Sequence, residues 1–170
     1  MAVTYKLIQT VTVGSGGAAS IDFTSIPQTY TDLLVVYSAR TSRSAVYDAF
    51  RLTFNGSTTN YSSKYLQGNG SSASSFSGST SFVSCYVNGA TSTSNTFSNN
   101  AFYIPNYTSS TYKSLSGEHL YETNATAADM FLTAGLWSNT AAITSISVTS
   151  DVGATIVQYS SASLYGIKNS

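Results

Sequence analysis

Charge is what this sequence has least of. Asp, Glu, Lys and Arg make up 8% of its 170 residues, where an ordinary soluble domain carries about 25%. The 7 basic and 7 acidic residues cancel, so the chain has no long-range field to recruit nucleic acid or an anionic membrane. One cysteine, Cys85, excludes an internal disulfide framework and fits synthesis in a reducing cytoplasm. One histidine, His119, leaves a Ser-His-acid triad a single candidate base, and no G-x-S-x-G turn occurs. No run approaches the roughly 18 apolar residues of a membrane-spanning helix. The opening MAVTYKLIQTVTV has neither the basic start nor the long apolar middle of a secretion signal. Export through a secretion channel is not expected.

What remains is 42% hydrophobic, with 13 Tyr and 8 Phe set among abundant Ser, Thr and Gly. That is too apolar for a disordered chain and has the residue types of β-sheets. Period-two runs recur, the first placing Tyr5, Leu7, Gln9, Val11 and Val13 on one face. Asp32–Arg40 is apolar on both faces through Leu33, Leu34, Val35 and Val36, which predicts a central strand covered on both sides. Ala49–Phe54 points Phe50, Leu52 and Phe54 inward and Arg51 and Thr53 outward. It ends in Asn55-Gly56, and Ser81–Val87 ends in Asn88-Gly89; both pairs read as hairpin turns. Tyr61–Leu66 is the one stretch that could make a helical turn, and Thr155–Ile167 reads as the final strand. Roughly eight to ten short strands predict an all-β, antiparallel, jelly-roll-like β-sandwich over residues 1–170 as a single domain. The tract QGNGSSASSFSGST, Gln67–Thr80, is low-complexity and reads as a surface loop. Its apolar residue, Phe76, reads either as a contact for a neighbouring subunit or as a loosely packed ring in a solvated loop.

Chemistry is thinly supplied. His119 sits in LSGEHLYE, a strand pattern that sends Glu118 and Glu122 to the opposite face. The carboxylates are scattered with no D-x-D-x-D loop, so no metal site is expected. GSGG at Gly14–Gly17 precedes a strand and lacks a lysine, which removes the phosphate-loop reading. Cys85, between apolar neighbours in FVSCYV, reads as buried. Trp137 closes a strand and reads as a cover over one mouth of the core; a sugar-stacking role for Trp137 with Tyr107 is the alternative. No catalytic residue and no cofactor is assigned, and the chain is expected not to be an enzyme.

One cluster stands out: LLVVYSARTSRSAVYDAFRLTFNG holds Arg40, Arg43 and Arg51, with Asp48 close enough to pair with one of them. A surface ion pair at a strand end is the plain reading. The sharper one sends Arg40 and Arg51 to carboxylates or carbonyls of another chain, since arginine forks bond bidentately at interfaces. Arg40, Arg43, Arg51, Phe76, Tyr107 and Tyr112 are therefore the interface candidates.

The blocks Val11–Ser20, SIPQTYTDLLVV (Ser25–Val36), LTFNGSTTNYSS (Leu52–Ser63), YIPNYTSSTYKS (Tyr103–Ser114), TAGLWSNTAAITSISV (Thr133–Val148) and YSSASLYGIKNS (Tyr159–Ser170) resemble small Ser/Thr/Tyr-rich virion structural proteins of tailed phages, including those of cyanobacteria. The resemblance spans almost the whole chain and is weakest over Gln67–Thr80. It implies a capsid decoration or cement protein that bridges coat subunits, made in the host cytoplasm and located in the virion. Its partners would be the major capsid protein of the same particle and further copies of itself, a trimer being one form. Nucleic acid and membrane are not expected partners. A tail- or fibre-associated domain binding a receptor or carbohydrate is the alternative. The resemblance supplies no catalytic residues.

Overall fold

The computed structural model describes residues 4–125 and 127–168. They form an all-β sandwich, and no helix occurs among the described residues. The strands are β1 (Thr4–Thr12), β2 (Ser20–Phe23), β3 (Asp32–Ser38), β4 (Tyr47–Phe54), β5 (Tyr61–Gly68) and β6 (Ala73–Ser77), then β7 (Val83–Asn88), β8 (Asn99–Ile104), β9 (Lys113–Glu122), β10 (Ala128–Trp137), β11 (Ile146–Ser150) and β12 (Ser161–Lys168). An eight-stranded sheet runs β1-β12-β3-β8-β9-β10-β5-β6, and a four-stranded sheet runs β2-β11-β4-β7. Every strand pair in both sheets is antiparallel.

Alternation builds the core. In β4, Phe50, Leu52 and Phe54 are buried while Arg51 is exposed, as the period of two requires. They face Leu33 and Val35 of β3, Phe102 and Ile104 of β8 and Leu164 of β12 in one apolar cluster between the sheets. Tyr30 completes it over Gly166, where an added Cβ would come within 2.4 Å of the ring. At one end Trp137 stacks on Tyr61 and tilts against Phe54, sealing the core.

Four expectations are corrected. Tyr61–Leu66 is strand, not a helical turn, because Tyr61, Ser63 and Tyr65 alternate inward against β10. The Gly/Ser tract is not a loop throughout: Ala73–Ser77 pairs with β5 as an edge strand, and only residues 69–72 and 78–80 fit the loop reading. The two Asn-Gly pairs turn the chain without joining paired strands. Asn55 and Gly56 have φ of 51° and 67°, yet β4 pairs with β7 and β11 while the next strand, β5, belongs to the other sheet. The final strand, β12, begins only at Ser161; before it, Ile156 makes isolated bridges to Ala18 and Thr41 and residues 157–160 form a turn.

One further departure bears on function. β3 is central, but its two faces are not equally covered: Leu33, Val35 and Tyr37 are buried on the inner face, whereas Leu34 and Val36 on the outer face are only partly buried. Its run of apolar residues predicts burial on both sides.

Candidate functional site

The arginine cluster resolves into staples within the chain. Arg40 follows β3, and its guanidinium points into the loop between β7 and β8. Nη1 donates to the carbonyls of Thr93 at 2.7 Å and Thr96 at 3.1 Å. Nη2 donates to those of Ala90 at 3.1 Å and Ser92 at 2.8 Å. A loop that curls its carbonyls inward concentrates negative potential, and a cation at its centre answers it. Arg43 lies 3.4 Å from Asp48, a carboxylate that is fully buried and also accepts from Ser150 Oγ at 2.7 Å. Arg51 Nε donates to Asp151 Oδ1 at 2.6 Å and Nη2 to the Asp151 carbonyl at 2.8 Å, with the guanidinium over the Phe82 ring. The ion pair expected for Asp48 is present, whereas the carbonyls and carboxylates that Arg40 and Arg51 were expected to find on another chain lie within this one.

Other candidates are relocated as well. Tyr107 is buried in the core, its hydroxyl donating to the Pro27 carbonyl, so its ring is closed to sugar and to partner alike. Trp137 is sealed between Phe54 and Tyr61 and cannot stack on a saccharide. Phe76 stacks on Tyr65 within its own hairpin and meets Phe131 edge-on. Of the four aromatic candidates, Tyr112, before β9, is the one with an exposed ring.

The two residues closest to nucleophile chemistry are withdrawn from solvent. His119 is buried beneath Phe102; its Nε2 lies 2.8 Å from Thr133 Oγ1 and its Nδ1 is buried without a partner. Burial pushes its pKa down to about 3. Cys85 is buried against Phe50 and Tyr37, and burial pushes its thiol up to about 12. Among the described residues no three His, Cys, Asp or Glu side chains converge as metal ligands.

The exposed feature that does stand out is the outer face of the eight-stranded sheet. In cross-strand register, Val36 (β3), Ala101 (β8), Glu118 (β9), Leu132 (β10) and Leu66 (β5) form one row. A neighbouring row carries Leu7 (β1), Tyr165 (β12), Leu34 (β3), Tyr103 (β8), Ala134 (β10) and Lys64 (β5). Leu66, Met130 and Leu132 are each 50% exposed. A shallow hollow lies between Leu34, Tyr103, Glu118 and Leu132. The alternation in sequence signals this only faintly, because strands with apolar residues on both faces read as buried.

Comparison with protein-family models, with curated proteins and with solved structures found no match to this chain.

Proposed function

We propose that the chain is a non-catalytic structural component of a phage virion, a capsid decoration protein that bridges coat subunits through the outer face of its larger sheet. That face carries the reading. Apolar side chains exposed in register over several adjacent strands are uncommon on a monomer and mark surfaces that bind protein. Eight strands at about 4.8 Å spacing make it about 34 Å wide, and some 24 Å of strand length brings it to about 800 Å². One partner contributes about that area to a standard interface. Glu118 and Lys64 sit among the apolar residues as separate charges of opposite sign that would fix orientation. The strand order supports the reading too: β1-β12-β3-β8 over β2-β11-β4-β7 interleaves like a jelly roll, an architecture recurrent in viral capsid and lectin domains. The burial of His119 and Cys85 supports a non-catalytic role. Many weakly held copies would stiffen a shell by multivalency.

Electron cryomicroscopy of the intact particle tests this. Density for the domain spread over the capsid lattice, with β10 and β5 against coat protein, is the expected result. Leu132→Lys should then fold normally but no longer bind shells. Density confined to the tail would overturn decoration in favour of a receptor-binding domain, the second reading, which an exposed aromatic at one end of the sandwich favours.

A further inference from the structure

Two turns face each other at the end of the sandwich away from Trp137, and both hold a non-glycine residue in the left-handed region. In the turn closed by Thr96 N donating to the Thr93 carbonyl, Asn95 has φ of 65°. In the turn closed by Ser160 N donating to the Val157 carbonyl, Tyr159 has φ of 72°. Asparagine tolerates that conformation; a bulky aromatic residue rarely adopts it. Tyr159 recovers little through packing, since it is 72% exposed and the most exposed large hydrophobic side chain described. A strained residue that does not serve the core is a reason to look for a ligand.

Between the turns lies a shallow, open cleft of about 300 Å³, lined by Arg40, Asn95, Phe97, Gln158 and Tyr159. That volume is at the lower end for small-ligand sites. Arg40 braces both walls. Its guanidinium holds the Thr93 and Thr96 carbonyls on one side. On the other, its backbone carbonyl accepts from Val157 N at 3.0 Å and its N–H donates to Ser160 Oγ at 3.1 Å. The terminal amino groups of Arg40 are committed to the loop carbonyls, so they do not offer a carboxylate a bidentate clamp. The free polar groups in the cleft are the uncharged carboxamides of Asn95 and Gln158 and the hydroxyls of Ser94 and Tyr159.

We propose that this cleft binds a neutral saccharide, with a pyranose ring stacked on Tyr159 and its hydroxyls bonded by Asn95 and Gln158. The match is chemical. An exposed aromatic face receives the C–H face of a sugar, and a carboxamide can donate and accept at once, as a vicinal pair of hydroxyls requires. Arg40 is a positioning residue that holds the two walls at fixed separation before the ligand arrives, which lowers the cost of ordering them. The site stands whether the domain rides on the capsid or the tail.

The test titrates the full chain with neutral cello-, malto-, galacto-, manno- and chito-oligosaccharides and, separately, with uronic-acid and sialylated oligosaccharides. Saturation-transfer NMR and calorimetry report binding. Saturable binding of at least one neutral series is expected, weakened about tenfold or more in Tyr159→Gly and in Asn95→Ala. Tyr159→Gly should keep or raise the thermal midpoint, because glycine relieves the left-handed strain, so lost binding cannot be ascribed to unfolding. Silence from every neutral series, undiminished binding by Tyr159→Gly, or binding confined to the anionic sugars overturns the proposal. Capsid binding by Tyr159→Gly should equal that of the unmodified chain, which separates this site from the outer sheet face.

Discussion

His119 and Thr133 share one hydrogen bond across adjacent strands of the larger sheet, 2.8 Å from Nε2 to Oγ1, and the other ring nitrogen is buried without a partner. The imidazole is thus kept neutral by its surroundings. Its pKa falls from the ordinary 6.5 to about 3 on folding, so the unfolded chain takes up a proton that the folded chain refuses. The stability tied to neutral His119 is fully present above pH 6.5 and is lost as pH falls toward 3. Linkage puts the loss at about 2 kcal/mol by pH 5. Thermal midpoints measured from pH 7.5 to 4 should fall more steeply in the unmodified chain than in His119→Gln. Parallel curves would show that the ring protonates without penalty.

Arg40 should be worth more than a surface arginine. Arg40→Ala leaves the inward-turned carbonyls of the β7–β8 loop without their cation, and hydrogen bonds to charged groups contribute about 1.5–3 kcal/mol each. With partial rescue by water, a net loss of about 2–4 kcal/mol is expected in urea denaturation. Hydrogen exchange should accelerate selectively between Gly89 and Ser98. Arg40→Lys should recover only part of the loss, because one ammonium cannot fork to four carbonyls.

Cys85 should be silent until the sandwich opens. With its thiol buried and pushed up to about 12, a thiol reagent added to native protein at pH 8 should find almost no thiolate. Modification should proceed at the rate of global unfolding and rise steeply with added urea. Fast native labelling would mean that β4 and β7 separate locally.

Trp137 should report on the core alone. Its fluorescence should be that of an apolar environment and should not move when saccharides are added, since Tyr61 and Phe54 enclose it at the end opposite the Tyr159 cleft. Trp137→Ala should cost about 3–5 kcal/mol. A saccharide-dependent change in its emission would contradict the burial described.

Much of the sandwich was legible in the amino-acid order. The inward triplet of β4 and the burial of Cys85 follow from period-two alternation, which physics ties directly to the two faces of a strand. The β5–β6 hairpin was not legible because serine and glycine carry no hydrophobic contrast; its place depends on the exposed edge of β10 and on Tyr65 packing within it. The partners of Arg51 and Arg40 were equally hidden. Asp151 lies 100 positions from Arg51, and backbone carbonyls have no signature in sequence at all. Tyr159 is hidden in the same way, because a left-handed tyrosine reads like any other in sequence and only the turn around it sets its φ.

The pairing of β1 with β12 has a consequence for how the protein is made. Thr10 and Ser163 bond across that pair from positions 153 apart, and β12 is the strand that joins β1 to the rest of its sheet. On a ribosome, β1 emerges well before β12 and must stay unpaired until β12 has followed it out. Closing so long a loop is slow, and an unpaired strand is exposed to wrong partners meanwhile. The bulge between Leu7 and Gln9 and the polar run of Gln9, Thr10 and Thr12 make the second half of β1 a poor template for other chains while it waits.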